Sequence, residues 1–155
     1  GVNIVYQKHL ILKPDMSKLM TPHTELDCNV IVFSLFPGIQ ENIIRGMLDI
    51  GKLRGIVMRS YGSGNAPQQE WLMRLLKEAT DRGVTIVNIS QCVTGQVEMN
   101  RYDTGYQLKD AGVISGMDST VEAAATKLMY LQARYDDYET IRKMMKISLA
   151  GEITV

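Results

Sequence analysis

The sequence predicts an α/β domain with a mostly parallel sheet of about four strands. Three observations predict it. Short runs rich in β-branched residues alternate with segments whose apolar residues recur at helical spacing. The runs are apolar throughout, as strands covered on both faces are, instead of alternating apolar with polar. Proline and glycine stand at several of the junctions between them.

Asn29-Val30-Ile31-Val32-Phe33-Ser34-Leu35 is the first such run, ended by Pro37-Gly38. Ile39, Ile43, Ile44, Met47 and Leu48 then follow helical spacing, with Gly51 as a stop. Gly55-Ile56-Val57-Met58-Arg59-Ser60 is the second strand. Trp71, Leu72, Leu75, Leu76 and Ala79 place the next helix, closed by Asp81-Arg82-Gly83, and Val84-Thr85-Ile86-Val87-Asn88-Ile89 is the third strand. This β-α-β-α-β order implies right-handed crossovers and helices on both faces of the sheet. It is the order of a small Rossmann/flavodoxin-like three-layer domain.

The remainder reads as mostly helical. Tyr102 to Asp110 predicts a short helix, and Gly112-Val113-Ile114-Ser115-Gly116 a short strand or turn. Ser119-Thr120-Val121-Glu122 has the pattern of a capping box with Ser119 as the accepting side chain. Its helix buries Val121, Ala124, Ala125, Leu128 and Met129. A last helix takes Asp136 or Asp137 as its cap and turns Tyr138, Ile141, Met145 and Leu149 inward. The first 27 residues differ. They are polar around Pro14-Asp15 and Pro22-His23-Thr24, with little periodicity. The expected organisation is a linker or interdomain segment over 1–27 and a domain over 28–155, in a chain that begins partway through a larger protein.

Composition excludes several function classes. The 155 residues carry 17 Lys+Arg and 17 Asp+Glu, a formal net charge of zero. Without a basic excess, no general nucleic-acid footprint is expected. No apolar run approaches the ~20 residues a membrane-spanning helix needs, and the first residues lack the basic region of a signal peptide. Cys28 and Cys92 are far apart and read as free thiols of a reducing compartment. His9 and His23 are not at i, i+4 spacing and no C-x-x-C occurs, so no metal is expected.

In an open parallel sheet, ligands collect beyond the carboxyl ends of the strands. Three stretches lie there. The first, Arg59-Ser60-Tyr61-Gly62-Ser63-Gly64-Asn65-Ala66-Pro67, has two glycines for close backbone approach and an amide for recognition. It is not a dinucleotide loop, because Pro67 stands where a third glycine belongs. Nor does Leu35-Phe36-Pro37-Gly38 offer the hydroxyl-rich cradle that an FMN phosphate requires. The second stretch, Asn88-Ile89-Ser90-Gln91-Cys92-Val93-Thr94-Gly95, puts a hydroxyl, an amide and a thiol at the end of the third strand. Cys92 as a nucleophile needs a base, and both histidines lie far upstream, so a buried structural thiol is the expectation. The third, Asn100-Arg101-Tyr102-Asp103-Thr104-Gly105-Tyr106, either lines a pocket or merely caps a helix. Periodicity thus yields a fold and a ligand edge but no reaction.

Motif by motif, these loops resemble one family. Arg59 to Gln68, Asp81-Arg82-Gly83, Ser90-Gln91-Cys92 and Tyr102-Asp103-Thr104-Gly105 follow one another in its order. Gly112 to Asp118, Glu122-Ala123-Ala124 with Thr126-Lys127-Leu128, and Leu149 to Thr154 complete the series. The resemblance is to L-asparaginases of the bacterial cytoplasmic type (type I), over roughly 29–154. It implies the smaller, C-terminal domain of a two-domain amidohydrolase that converts L-asparagine to L-aspartate and ammonia without cofactor or metal. The catalytic threonines, and the aspartate and lysine that work with one of them, belong in that family to the N-terminal domain. No segment here resembles those motifs, so no catalytic residue is expected in this chain and the chain alone is expected to be inactive.

The resemblance also implies a cytoplasmic homo-oligomer, dimer or tetramer, in which this domain reaches a neighbouring subunit's active site through Asn65 and Tyr102. An allosteric asparagine site between subunits is implied at Arg59, Ser90 and Cys92, with Ser90 where threonine is more usual. The partners expected are therefore L-asparagine, the chain's own N-terminal domain and further copies. The alternative is a stand-alone α/β module that binds an amino acid without turning it over.

Overall fold

A computed structural model describes residues 4–99 and 103–154. Its elements are β1 (Val30–Ser34), α1 (Glu41–Leu48), β2 (Gly55–Ser60), α2 (Glu70–Asp81), β3 (Thr85–Ser90), α3 (Asp103–Asp110), β4 (Ile114–Ser115), α4 (Val121–Gln132) and α5 (Tyr138–Met145). The four strands are parallel and lie in the order β1-β2-β3-β4. Sequential order has a consequence. Crossovers that keep one hand while stepping one way across a sheet put every intervening helix on the same face.

The core divides accordingly. Ile56, Met58 and Ile86 pack with Ile44, Leu48, Leu72, Leu75, Leu76 and Leu108 of α1, α2 and α3. Val57, Val87, Ile89 and Ile114 pack on the opposite face with Ala124, Leu128, Leu131, Ile141 and Met145 of α4 and α5. Successive strand residues feed opposite faces, so a β-branched run supplies both layers at once. Gly55 lets α4 close on β2, because a Cβ there would stand 2.6 Å from Leu128 Cδ2. The three-layer α/β architecture is the one the periodicity predicts.

Four details differ from expectation. β1 is an edge strand and leaves Val32 45% exposed, so its apolar run is not covered on both faces. The cap of α4 is Thr120, whose Oγ1 accepts from Ala123 N at 3.2 Å; the helix begins one residue later than a Ser119 cap requires. Leu149, expected to turn inward from α5, lies past that helix's end and is exposed, although the helix is capped as expected by Asp137, which accepts from Thr140 N at 2.8 Å. Cys92 is exposed rather than buried, because the chain turns outward after β3; both cysteines are free.

Two polar fastenings tie the periphery to this core. Arg54 Nη1 donates to Asp27 Oδ2 at 2.9 Å and to the Gln132 carbonyl at 3.0 Å, and Asp27 N donates to Met129 O. Lys127, buried on α4, gives its Nζ to Glu152 Oε1 at 2.7 Å and to the carbonyls of Met145 and Ile147. That uses all three ammonium donors. By contrast, every described side chain between 4 and 26 is exposed.

Candidate functional site

The carboxyl ends of β2 and β3 and the loops that follow them carry the candidate residues, and the backbone there is tied by many hydrogen bonds. Tyr61 to Asn65 forms a tight turn closed in both directions: Tyr61 N donates to Asn65 O at 2.9 Å and Asn65 N to Tyr61 O at 2.8 Å. Gly64 takes φ +107 inside it, a conformation L side chains rarely adopt. The turn's carbonyls are then claimed from outside. Ser90 Oγ donates to Gly62 O at 2.6 Å, Glu98 N to Ser63 O at 3.0 Å, and Asn88 Nδ2 to Gly64 O at 3.2 Å. Such a turn is preformed, since releasing it leaves several partly buried polar groups without partners.

Gln91 performs a similar service one step away. Its Nε2 donates to Leu35 O at 2.6 Å and to Arg59 O at 3.0 Å, lacing together the chain beyond β1 and β2. Thr104, at the start of α3, donates to Asn65 Oδ1, which also accepts from Ala66 N at 3.1 Å. Gly105 permits this approach, because a Cβ there would run into the Met99 carbonyl. All three loops of the ligand edge are therefore hydrogen-bonded into one unit.

The candidates fare differently within it. Asn65 is exposed, its oxygen engaged and its Nδ2 without a partner among the described residues. Arg59 sits at the end of β2 with a buried Nε that has no partner, and no carboxylate pairs with its guanidinium among the described residues. Ser90 lies beside it across the sheet, in register with Ser60, while Cys92 follows two residues on. The Ser90 hydroxyl is already committed, donating to Gly62 O and accepting from Cys92 N at 3.0 Å. Tyr102 lies outside the described residues. No group of three or more His, Cys, Asp or Glu side chains suited to a metal occurs among the described residues.

Sequence reasoning included Asn88 and Gln91 in the second stretch but not their part in setting this edge, and weighed Thr104 only as a cap or pocket wall. The one available signal was Asn88 itself, a polar residue inside a β-branched strand and fully buried here. A cleft of about 740 Å³ lies elsewhere, between the outer edge of β4 and α5, bordered by Met99, Lys109, Ile114, Arg142 and Lys146. It includes none of the candidate residues. Asn65 is exposed at the candidate edge.

Residues 29–145 match the family model of the glutaminase/asparaginase C-terminal domain. The chain is 47% identical over 123 residues to L-asparaginase 1 of Escherichia coli K12, covering 79% of this chain and 36% of that protein. It is 36% identical over 155 residues to the human 60 kDa lysophospholipase, covering 27% of that protein. Its fold matches the crystal structure of L-asparaginase I from Vibrio cholerae with a TM-score of 0.78 at 42% identity, over 82% of this chain and 38% of that one. The chain thus spans about a third of the length of these relatives.

Proposed function

The chain belongs to the glutaminase/asparaginase C-terminal domain family, and from that premise we propose that it is the recognition and assembly half of a cytoplasmic L-asparaginase. The reaction proposed for the whole protein is hydrolysis of L-asparagine to L-aspartate and ammonia, with the threonine nucleophile on a preceding domain. Residues 1–27 are then the linker and 28–155 the C-terminal domain. The observation that carries this reading is Asn65: a neutral amide exposed at the ligand edge, on a turn whose every neighbour restrains it. A neutral donor can bond a charged amino acid without altering the charge of the site.

Reactive groups at this edge are poorly placed for chemistry of their own. The Thr104 hydroxyl is buried and committed to Asn65. Cys92 is exposed, and His23 stands edge-on to Tyr130. The exposure of Asn65 supports a homo-oligomer, dimer or tetramer, with a neighbouring subunit's site closing over Asn65 and Tyr102. The proposed allosteric asparagine site takes Arg59, Ser90 and Cys92. Arg59 supports it, since an unpaired guanidinium offers a planar fork to an α-carboxylate. The Ser90 hydroxyl does not, being used within the fold. No helix among the described residues is long and apolar enough to cross a membrane.

An ammonia-release assay with L-asparagine tests the reading, run on this chain and on the protein with its preceding domain. Activity is expected only in the longer protein. Activity in the short chain would return the nucleophile to Thr104 or Cys92. Silence in both, with asparagine still binding by calorimetry, would favour the stand-alone regulatory module.

A further inference from the structure

An asparagine side chain can present either end of its amide, because half a turn about χ2 exchanges an acceptor for a donor with little change in shape. At Asn65 a backbone donor removes that freedom, and Thr104 holds the amide in place. The Ala66 N–H lies 3.1 Å from Oδ1, and the Thr104 hydroxyl donates to the same oxygen. A flipped amide would set N–H against the Ala66 N–H, which cannot accept. The Thr104 hydroxyl, on a side chain 3% exposed with no other hydrogen-bond partner among the described residues, can donate or accept, so its bond fixes where the amide lies while the Ala66 N–H fixes which end faces it. The Asn65 Nδ2 has no partner among the described residues.

We infer that Thr104 is a positioning residue that holds the Asn65 amide in the place where the Ala66 N–H commits it to act outward as a hydrogen-bond donor, so that the group it meets is a carboxylate or carbonyl oxygen of the ligand and not its ammonium. This rests on the reading of Asn65 as a residue that faces a neighbouring subunit's site. It deepens that reading, because a neutral amide alone suits either end of an amino acid. The chemistry that places Thr104 there is local: Gly105 lets the first turn of α3 lie against Met99, bringing a buried hydroxyl to the tip of the Tyr61–Asn65 turn.

Steady-state kinetics on the longer protein with L-asparagine separate the possibilities. Thr104→Val, which keeps the shape and removes the donor, should raise KM about tenfold with a smaller change in kcat. Thr104→Ser should restore values to within about twofold, because the hydroxyl returns. Asn65→Asp, at an exposed position, still accepts from Ala66 and Thr104 but turns an acceptor outward; it should be at least as damaging as Asn65→Ala. In an Asn65→Ala background, Thr104→Val should add less than about twofold, since it acts through the amide. A fully active Asn65→Asp, or an undiminished Thr104→Val effect without Asn65, overturns the inference. An Asn65→Ala protein with unchanged kinetics sinks the reading of Asn65 itself. An Asn65-sensitive enzyme indifferent to Thr104→Val overturns only the positioning role.

Discussion

Lys127→Met should destabilise the domain by about 3–5 kcal/mol, the usual consequence of removing one partner from a buried ion pair. Its ammonium meets Glu152 Oε1 at 2.7 Å and the carbonyls of Met145 and Ile147 at the end of α5. Without it Glu152 keeps only the Leu149 and Ala150 N–H groups, its charge loses the ammonium that balances it, and the tail from Ser148 to Thr154 loses its tie to α4. Thermal melts should fall by about 10 °C, taking 2–4 °C per kcal/mol for a domain of this size. The double variant Lys127→Met with Glu152→Gln should recover part of that loss, because the stranded charge is gone. A single variant that melts with wild type would remove the ion pair from the account of stability.

Acid should reveal the same contact. Burial by itself would raise the Glu152 carboxyl, but the hydrogen bond from Lys127 and those from the Leu149 and Ala150 N–H groups outweigh it and hold it at about 2. The folded value lies below the unfolded one, so the stabilisation is fully present above about pH 4.5 and is lost as pH falls toward 2. It is worth on the order of 3 kcal/mol at neutral pH. Stability measured across that window should drop steeply for wild type and less steeply for Lys127→Met. Parallel curves would mean that Lys127 does not set the Glu152 proton affinity.

Gly64→Ala is the second large effect expected, and it falls on the ligand edge. The residue sits at φ +107, and an added Cβ would stand 2.7 Å from Val97 Cγ1. Backbone strain of that kind costs on the order of 1–3 kcal/mol. The clash adds to it, because Val97 is buried and held by its own N–H to Met117 O. The turn must open, and Asn65 is the next residue. In the longer protein kcat/KM should fall about 100-fold, a loss of about 2.7 kcal/mol of binding at a misplaced amide. Gly62→Ala is the natural comparison. Its φ is +49 and its Cβ would meet nothing within 4 Å, so only the milder left-handed strain of about 1–2 kcal/mol applies. Equal kinetics for the two variants would disprove the part assigned to the Gly64–Val97 contact.

The strands and helices were legible because their signals are local. Ile56-Val57-Met58 and Ile86-Val87 are apolar without a break, and each residue fills one of two opposite layers. Leu72, Leu75, Leu76 and Ala79 mark the buried face of α2 through spacing alone. The motifs at Arg59–Gln68, Ser90–Cys92 and Tyr102–Gly105 likewise stand in the chain in readable order. Exposure was less legible. Val32 and Cys92 look like core residues by composition, yet one lies on an edge strand and the other past a strand end.

By itself, then, the sequence determined the layered α/β class, the edge where a ligand would sit and the family to which the chain belongs. Each depends on residue type and on spacing within a few positions along the chain. Only the tertiary structure decided which side chains build that edge: Thr104 on Asn65, Ser90 on Gly62, Asn88 on Gly64, Gln91 on Leu35 and Arg59. These partners stand 24 to 56 residues apart in the chain. A hydrogen bond requires contact to within about 3 Å and a set direction, and no local pattern carries that information before the sheet has brought the strand ends together.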